Sequence, residues 1–183
     1  MAGKAIGKSM NLGYAGSYSR TPDDIVVSRI LDGGDIEFGQ AVALASDNTF
    51  TPVDEDTVAG DIAGIALRVV KQATNYASQN TVKYLEGELI NVLERGCATV
   101  VCNVGTPTAG GKVYVRIKKN AAVTGGVIGG FEATADVAVA EGGVGGNDVT
   151  TYYNIEVPNM RWSNGYIDSN KVTEVTILTR VNP

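Results

Sequence analysis

The chain has 183 residues, 44% of them hydrophobic, which suffices for one sizeable folded domain or a domain with an extended arm. Its formal net charge is −5 and it has no basic block, so the electrostatic footprint of a nucleic-acid binder is missing. It contains no histidine, which removes every His-based acid–base mechanism and the commonest metal ligand, and no apolar run approaches the ~20 residues of a membrane helix. Charged residues make up 19% of the chain and there are 23 glycines, which suggests many turns and few long solvated helices. Val, Ile, Thr and Tyr are prominent and favour strands.

Residues 1–22 (MAGKAIGKSMNLGYAGSYSRTP) show no sustained period. They lack the apolar core of a signal peptide, so synthesis in the cytoplasm is the expectation. Small residues are interleaved there with Met10, Leu12, Tyr14 and Tyr18. The segment reads either as a frayed terminus or as an arm ordered only when laid against a neighbour. Tyrosines on a Gly/Ser backbone suit the second reading, because they supply contact area at little rotamer cost.

Strands dominate from Asp24 onward. DIVVSRIL is an apolar run bounded by Pro22-Asp23 and Gly33-Gly34. In DIEFGQAVALA, Ile36, Phe38, Val42 and Leu44 share one face with Gln40 as the exception, and Asp32–Asp35 is the turn before it. Asp54, Glu55 and Asp56 read as a solvated loop; they do not supply the alternating acids, glycine and distant Glu of a calcium loop. DIAGIALRVVKQ reads as a strand and QATNYASQN as a polar loop or short helical turn. TVKYLEG and ELINVLERG read as two short strands split by Gly87. Glu86, Leu89, Ile90 and Leu93 would also fit a short helix, but Val92 and the glycine punctuation favour strand.

The stretch LERGCATVVCNVGTPTAGGKVYVRI invites a nucleotide or metal reading. A phosphate-binding loop has the form G-x-x-x-x-G-K-[ST] and opens a helix. Here Gly105 and Gly111 are one residue too far apart, and Val113 replaces the hydroxyl. Val113, Val115 and Ile117 alternate with Tyr114, Arg116 and Lys118, which is strand periodicity. The expectation is a hairpin turned by Pro107 and Gly110-Gly111. Cys97 and Cys102 have an odd separation and fall on opposite faces of a straight strand. They fit no zinc spacing, and read as small buried hydrophobes in a reducing compartment rather than as a disulfide.

Residues at about 121–149 are rich in Gly, Ala and Val and low in charge. They read as short strands or a flexible, surface-exposed excursion. The strands YYNIEVP and KVTEVTILTRV close the chain, with Val175, Ile177, Thr179 and Val181 on one face. Short strands at roughly ten-residue spacing predict an all-β fold. That fold is a compact barrel or sandwich of short, mainly antiparallel strands. Residues 23–183 would be the β domain and 1–22 an extended N-terminal arm. No activated nucleophile or acid–base pair can be named, and no cofactor is expected.

The order of these elements resembles the structural cement, or capsid decoration, proteins of tailed bacteriophages. The resemblance rests on GYAGSYSRTPDDIV before the first strand and on FGQAVAL followed by the acidic loop and AGIALR. It rests also on ERGCATVVCN with GTPTAGGKVYVRI, and on NIEVPNMRWSNGYIDSNKVTEVTIL. Its specificity lies in order and spacing, since none of these is a catalytic signature. The resemblance implies a non-enzymatic virion protein on the outer capsid surface, synthesised in the bacterial host. Its partners would be the major capsid protein and itself, as a homotrimer, with no nucleic acid and no membrane. Candidate capsid or subunit contacts are Met10, Leu12, Tyr14, Tyr18 and Arg20 in the arm, with Arg161, Trp162 and Tyr166 in the late turn. Two other readings are a phage tail-tube or baseplate component and a carbohydrate-binding module. The second would use Trp162, Tyr166 and Tyr152 or Tyr153 as stacking platforms. For Trp162, a place in the core is the competing reading.

Overall fold

In the computed structural model, which describes residues 11–69, 82–140 and 149–180, the described residues form strands and turns and no helix. The first half contributes β1 (Tyr18–Ile30), β2 (Ile36–Glu37), β3 (Ala41–Leu44), β4 (Phe50–Pro52), β5 (Ile62–Ala66) and β6 (Lys83–Tyr84). Then come the long β7 (Leu89–Val104), β8 (Lys112–Arg116), β9 (Phe131–Glu132), β10 (Val137–Ala140), β11 (Val149–Tyr152), β12 (Asn154–Trp162) and β13 (Val172–Ile177). The protein is all-β, a closed barrel with extra strands.

The barrel is a ring. The C-terminal half of β7 pairs antiparallel with β13, β13 with β12, β12 with β8 and β8 with β9, and β9 returns parallel to β7. Closure leaves no free edge within the ring. Period-2 alternation turns Ala98, Val100 and Cys102 of β7 inward, to meet Val113, Val115, Phe131, Val157, Met160, Trp162, Val175 and Ile177. Ile62, Ile65 and Leu67 join the same core.

The N-terminal half of β7 serves a second core. There it pairs with β1 and β5, and β5 continues to β3 and β4. An isolated bridge from Leu31 to Phe50 brings the end of β1 against β4. Leu31, Ile36, Phe38, Val42, Phe50, Tyr84, Ile90 and Val92 fill this core, with the β2–β6 ribbon on one side. Where β5 passes β7 the backbones nearly touch: a Cβ on Gly64 would lie 1.9 Å from the Leu93 carbonyl oxygen, so no larger residue fits.

Several sequence expectations need correction. The turn at 107–111 forms, but β7 and β8 are not a hairpin: β9 lies between them. Inserting β9 buries Phe131 in the barrel and brings Glu132 to Arg116, which direct β7–β8 pairing would not do. The strand expected across DIEFGQAVALA is broken at Gly39-Gln40 into β2 and β3, which lie in different sheets. The Gly/Ala/Val-rich stretch is not all surface, because Gly129, Gly130, Phe131 and Glu132 are buried. In the last strand the inward face ends at Ile177, since Thr179 is exposed and Val181 lies outside the described residues. The segment QATNYASQN also lies outside them.

Candidate functional site

Of the described N-terminal candidates, Leu12 bonds the late turn at Asp168 and Arg20 reaches Glu174 beside it, whereas Tyr14 and Tyr18 lie along β7. Gly16 is the pivot. Its φ is +81°, and a Cβ there would sit 2.8–2.9 Å from Ala66 O, Arg68 N and Gly39 N. The Gly16 N–H donates to Thr99 O at 2.7 Å, and its own carbonyl accepts from Arg68 N at 2.8 Å. Thr99, buried on β7, accepts and donates further: its N–H bonds Ser17 O at 2.9 Å and its hydroxyl bonds Tyr14 O at 2.7 Å. Asp168 holds the start of the segment. Its carboxylate accepts from Leu12 N at 3.0 Å, Asn170 N at 2.8 Å and Val172 N at 2.9 Å. Burial pushes the Asp168 carboxyl up, but the N–H donors of Val172, Leu12 and Asn170 outweigh it and hold the group below the ordinary carboxylate range.

A polar ladder then crosses the outer wall of the barrel. Arg20 pairs with Glu174 at 3.0 Å, and Asn164 Nδ2 donates to the same carboxylate at 2.7 Å. Beside it, Cys97 Sγ lies 3.0 Å from the Thr176 hydroxyl, which is 2.7 Å from Ser163 Oγ. Arg161 stands opposite Thr176 on the next strand, and Lys112 pairs with Glu156 at 2.7 Å. The hydrogen bond that Arg20 donates to the Glu174 carboxylate holds its guanidinium above its ordinary pKa. Arg20 itself is mostly exposed, and such a pair contributes little to stability.

Three aromatic candidates face outward. Tyr14 is 69% exposed, with the Arg68 guanidinium 4.6 Å from its ring centroid; Tyr18 and Tyr166 are also exposed. The Tyr166 N–H is held by Asn164 Oδ1 at 3.0 Å, which ties it to the Glu174 cluster. Leu12, Arg20 and Tyr166 thus meet through Asp168, Glu174 and Asn164, while Tyr18 pairs beside Ala98 on β7 and Tyr14 lies over Arg68. Met10 lies outside the described residues. Trp162 is 1% exposed and packs the barrel core, so it supports the turn from beneath. The cysteines are both free, Cys102 in the core and Cys97 on the outer face, as strand alternation predicts. Burial pushes the Cys102 thiol up to about 11.

One cluster escaped the sequence reading. Arg116, fully buried, donates to Glu132 at 3.0 Å and to Asp136 at 2.8 Å, and Asn154 Nδ2 donates to Glu132 at 2.7 Å. Asn120 closes the group on Asp136 at 2.9 Å. Burial lowers the Arg116 pKa, and the two carboxylates more than restore it. These groups spend their hydrogen bonds on each other and pin the 118–136 stretch to the barrel. The available signal was that Glu132 and Asp136 are the sole charges between residues 121 and 140. Charges so isolated in an apolar stretch need partners when they are buried.

Hydrogen bonds to Asp168, Thr99 and Glu174 thus fix the segments that carry the exposed Tyr14, Tyr18 and Tyr166. A family model described as structural cement protein (E217 gp24/Pam3 gp6) matches residues 3–178. Among solved structures, a chain from the capsid of Myoviridae phage XM1 covers 98% of this chain and 98% of its own length, with a TM-score of 0.62 and 17% identity. At that identity the likeness speaks for the fold. No curated protein matches.

Proposed function

The chain belongs to the phage structural cement protein family, and from that premise we propose that it binds the outer surface of a phage capsid as a homotrimer and holds adjacent major capsid subunits together. The observation that carries this reading is the family match over residues 3–178. The exposed tyrosines support it. Tyr14, Tyr18 and Tyr166 offer rigid amphipathic contact area, and Asp168, Thr99 and Glu174 fix the backbone that presents them. Arg20 and Arg161 add positive charge beside them, suited to carboxylates on a shell. Residues 1–22 are the arm of this proposal; Leu12, Gly16 and Arg20 tie it to the barrel, and from Tyr18 it runs into β1. The protein works by adhesion and carries out no reaction.

Electron microscopy of particles with and without the protein tests the placement. Density outside the shell at junctions between capsid subunits is expected in decorated particles. Density confined to the tail would overturn the reading in favour of a tail component. Replacement of Tyr14, Tyr18 and Tyr166 by Ala is expected to leave folding intact and strip the protein from capsids. Sedimentation decides the oligomer: a trimer is expected, and a hexameric ring would point to a tail tube.

A further inference from the structure

At the other end of β7 an apolar patch is exposed. Ile30 and Leu89 face each other across the β1–β7 ladder and are 55% and 65% exposed; Leu85 beside them is 42% exposed. The patch is held in shape by backbone bonds from Leu31 N to Glu88 O, Gly87 N to Leu31 O and Glu88 N to Leu85 O, at 2.8–3.1 Å. Its border is acidic. Asp32 and Glu86 are exposed there, and Asp35 binds Glu86 N at 3.1 Å and Lys83 Nζ at 2.6 Å. β1 runs along the outside of this sheet, pairing with β7. Such an apolar surface with a polar border marks an interaction site.

The chain itself carries a segment of matching chemistry. Residues 1–10 (MAGKAIGKSM) hold Lys4 and Lys8 and no acid, whereas the whole chain nets −5. Met1, Ile6 and Met10 supply the apolar side chains, spaced among Gly, Ala and Ser. We propose that residues 1–10 of one copy dock on the Ile30–Leu85–Leu89 patch of a neighbouring copy, with Lys4 and Lys8 facing the acidic border.

Geometry makes the link intermolecular. Asn11 and Leu12 are tethered to Ser169 and Asp168, and Asp168 is joined to Val172, which pairs with Val101. Leu89 and Val101 stand twelve strand positions apart, which is about 40 Å at ~3.3 Å per residue. Lys4 precedes Asn11 by seven residues and reaches at most about 25 Å from it. A copy's own Lys4 and Ile6 therefore fall short of its own patch, while the patch of an adjoining copy can be placed within reach. The link needs copies of this chain alone. It stands apart from shell binding, and its failure would leave that reading untouched.

The test uses the full-length protein in solution, without capsids. Ile6 is replaced by a photoreactive benzoylphenylalanine, and light- and heavy-isotope copies are mixed and irradiated. Cross-links between light and heavy chains at positions 30 and 85–89 are expected. Cross-links within one copy, to another surface, or none at high protein concentration would overturn the proposal. In a second experiment, Lys4→Glu with Lys8→Glu should weaken self-association about tenfold or more, because like charges then meet at the border. Adding Asp32→Lys and Glu86→Lys to that variant should restore it. Loss without restoration, or no loss, counts against the docking. Leu89→Lys keeps an already exposed position exposed, so a folded variant that self-associates as well as the parent would also overturn it.

Discussion

Around the barrel core, five strands hydrogen-bond in a complete ring, whereas the second core is enclosed by an open run of strands whose ends meet through the isolated Leu31–Phe50 bridge. Both cores contain fully buried aromatic and branched side chains, so burial alone does not separate them. What differs is the number of pairings that must fail before water enters. Every strand of the ring is paired on both sides, whereas the second core has β1 and β4 at its margins. A region with solvent-facing strand edges opens at lower free energy than a closed one. The 163–171 turn with Tyr166 is borne by the ring, and the apolar patch lies on the open side.

The largest expected effect breaks the ring itself. Phe131→Ala removes the side chain that β9 carries into the barrel and should cost about 3–5 kcal/mol, lowering the whole denaturation curve. The matching Phe50→Ala removes an equally buried ring from the second core. Hydrogen exchange should then show faster opening of β3, β4 and the end of β1 while β12 and β13 stay protected. Equal loss of protection in both regions would mean that the cores unfold as one.

Next in size is the buried ion cluster. Arg116→Met leaves Glu132 charged and without its cation, at a cost of about 3–5 kcal/mol, read by urea denaturation. The double variant Arg116→Met with Glu132→Leu should recover most of that loss. Gly16→Ala comes third: the backbone at φ +81° alone should cost about 1–2 kcal/mol in a thermal melt, and the contact of a Cβ with Ala66 O adds to it. Asp168→Asn is smaller, about 1 kcal/mol at neutral pH, as the charge-assisted bonds to three N–H groups weaken. Because the folded Asp168 pKa lies below its unfolded value of about 3.9, its contribution is complete above that pH and is lost as pH falls through the folded value. The acid limb of the stability profile should therefore flatten in Asp168→Asn. The smallest effect is chemical: near pH 8 a thiol reagent should modify Cys97 quickly, and Cys102, with its pKa of about 11, only on unfolding.

Much of the strand pattern was legible because alternation is a local property. Val113, Val115 and Ile117 all point into the barrel, as their spacing predicts. Ile36, Phe38 and Val42 all reach the second core even though the backbone breaks between them at Gly39. Pairing was not legible where it is non-local. Nothing near residues 105–112 announces that Phe131 returns to lie between β7 and β8. In the candidate site, an aromatic residue alone does not reveal which side of a wall it occupies: Tyr14, Tyr18 and Tyr166 face outward and Trp162 lies inside. Asp168 went unremarked although Asp-Ser-Asn is turn chemistry, because its bond to Leu12 spans 156 positions of sequence.

Strand β7 runs from the apolar patch to the clasp at Asp168 and is paired along its length with β1, β5, β9 and β13. A tensile load applied between those two ends acts parallel to these ladders. It must shear many hydrogen bonds at once, where a perpendicular pull would peel them one at a time. The molecule is thus mechanically anisotropic: stiff along β7 and weaker across it, at the Leu31–Phe50 seam. Forced rupture is governed by the unfolding rate rather than by equilibrium stability, so pulling along β7 selects the slowest exit from the native state.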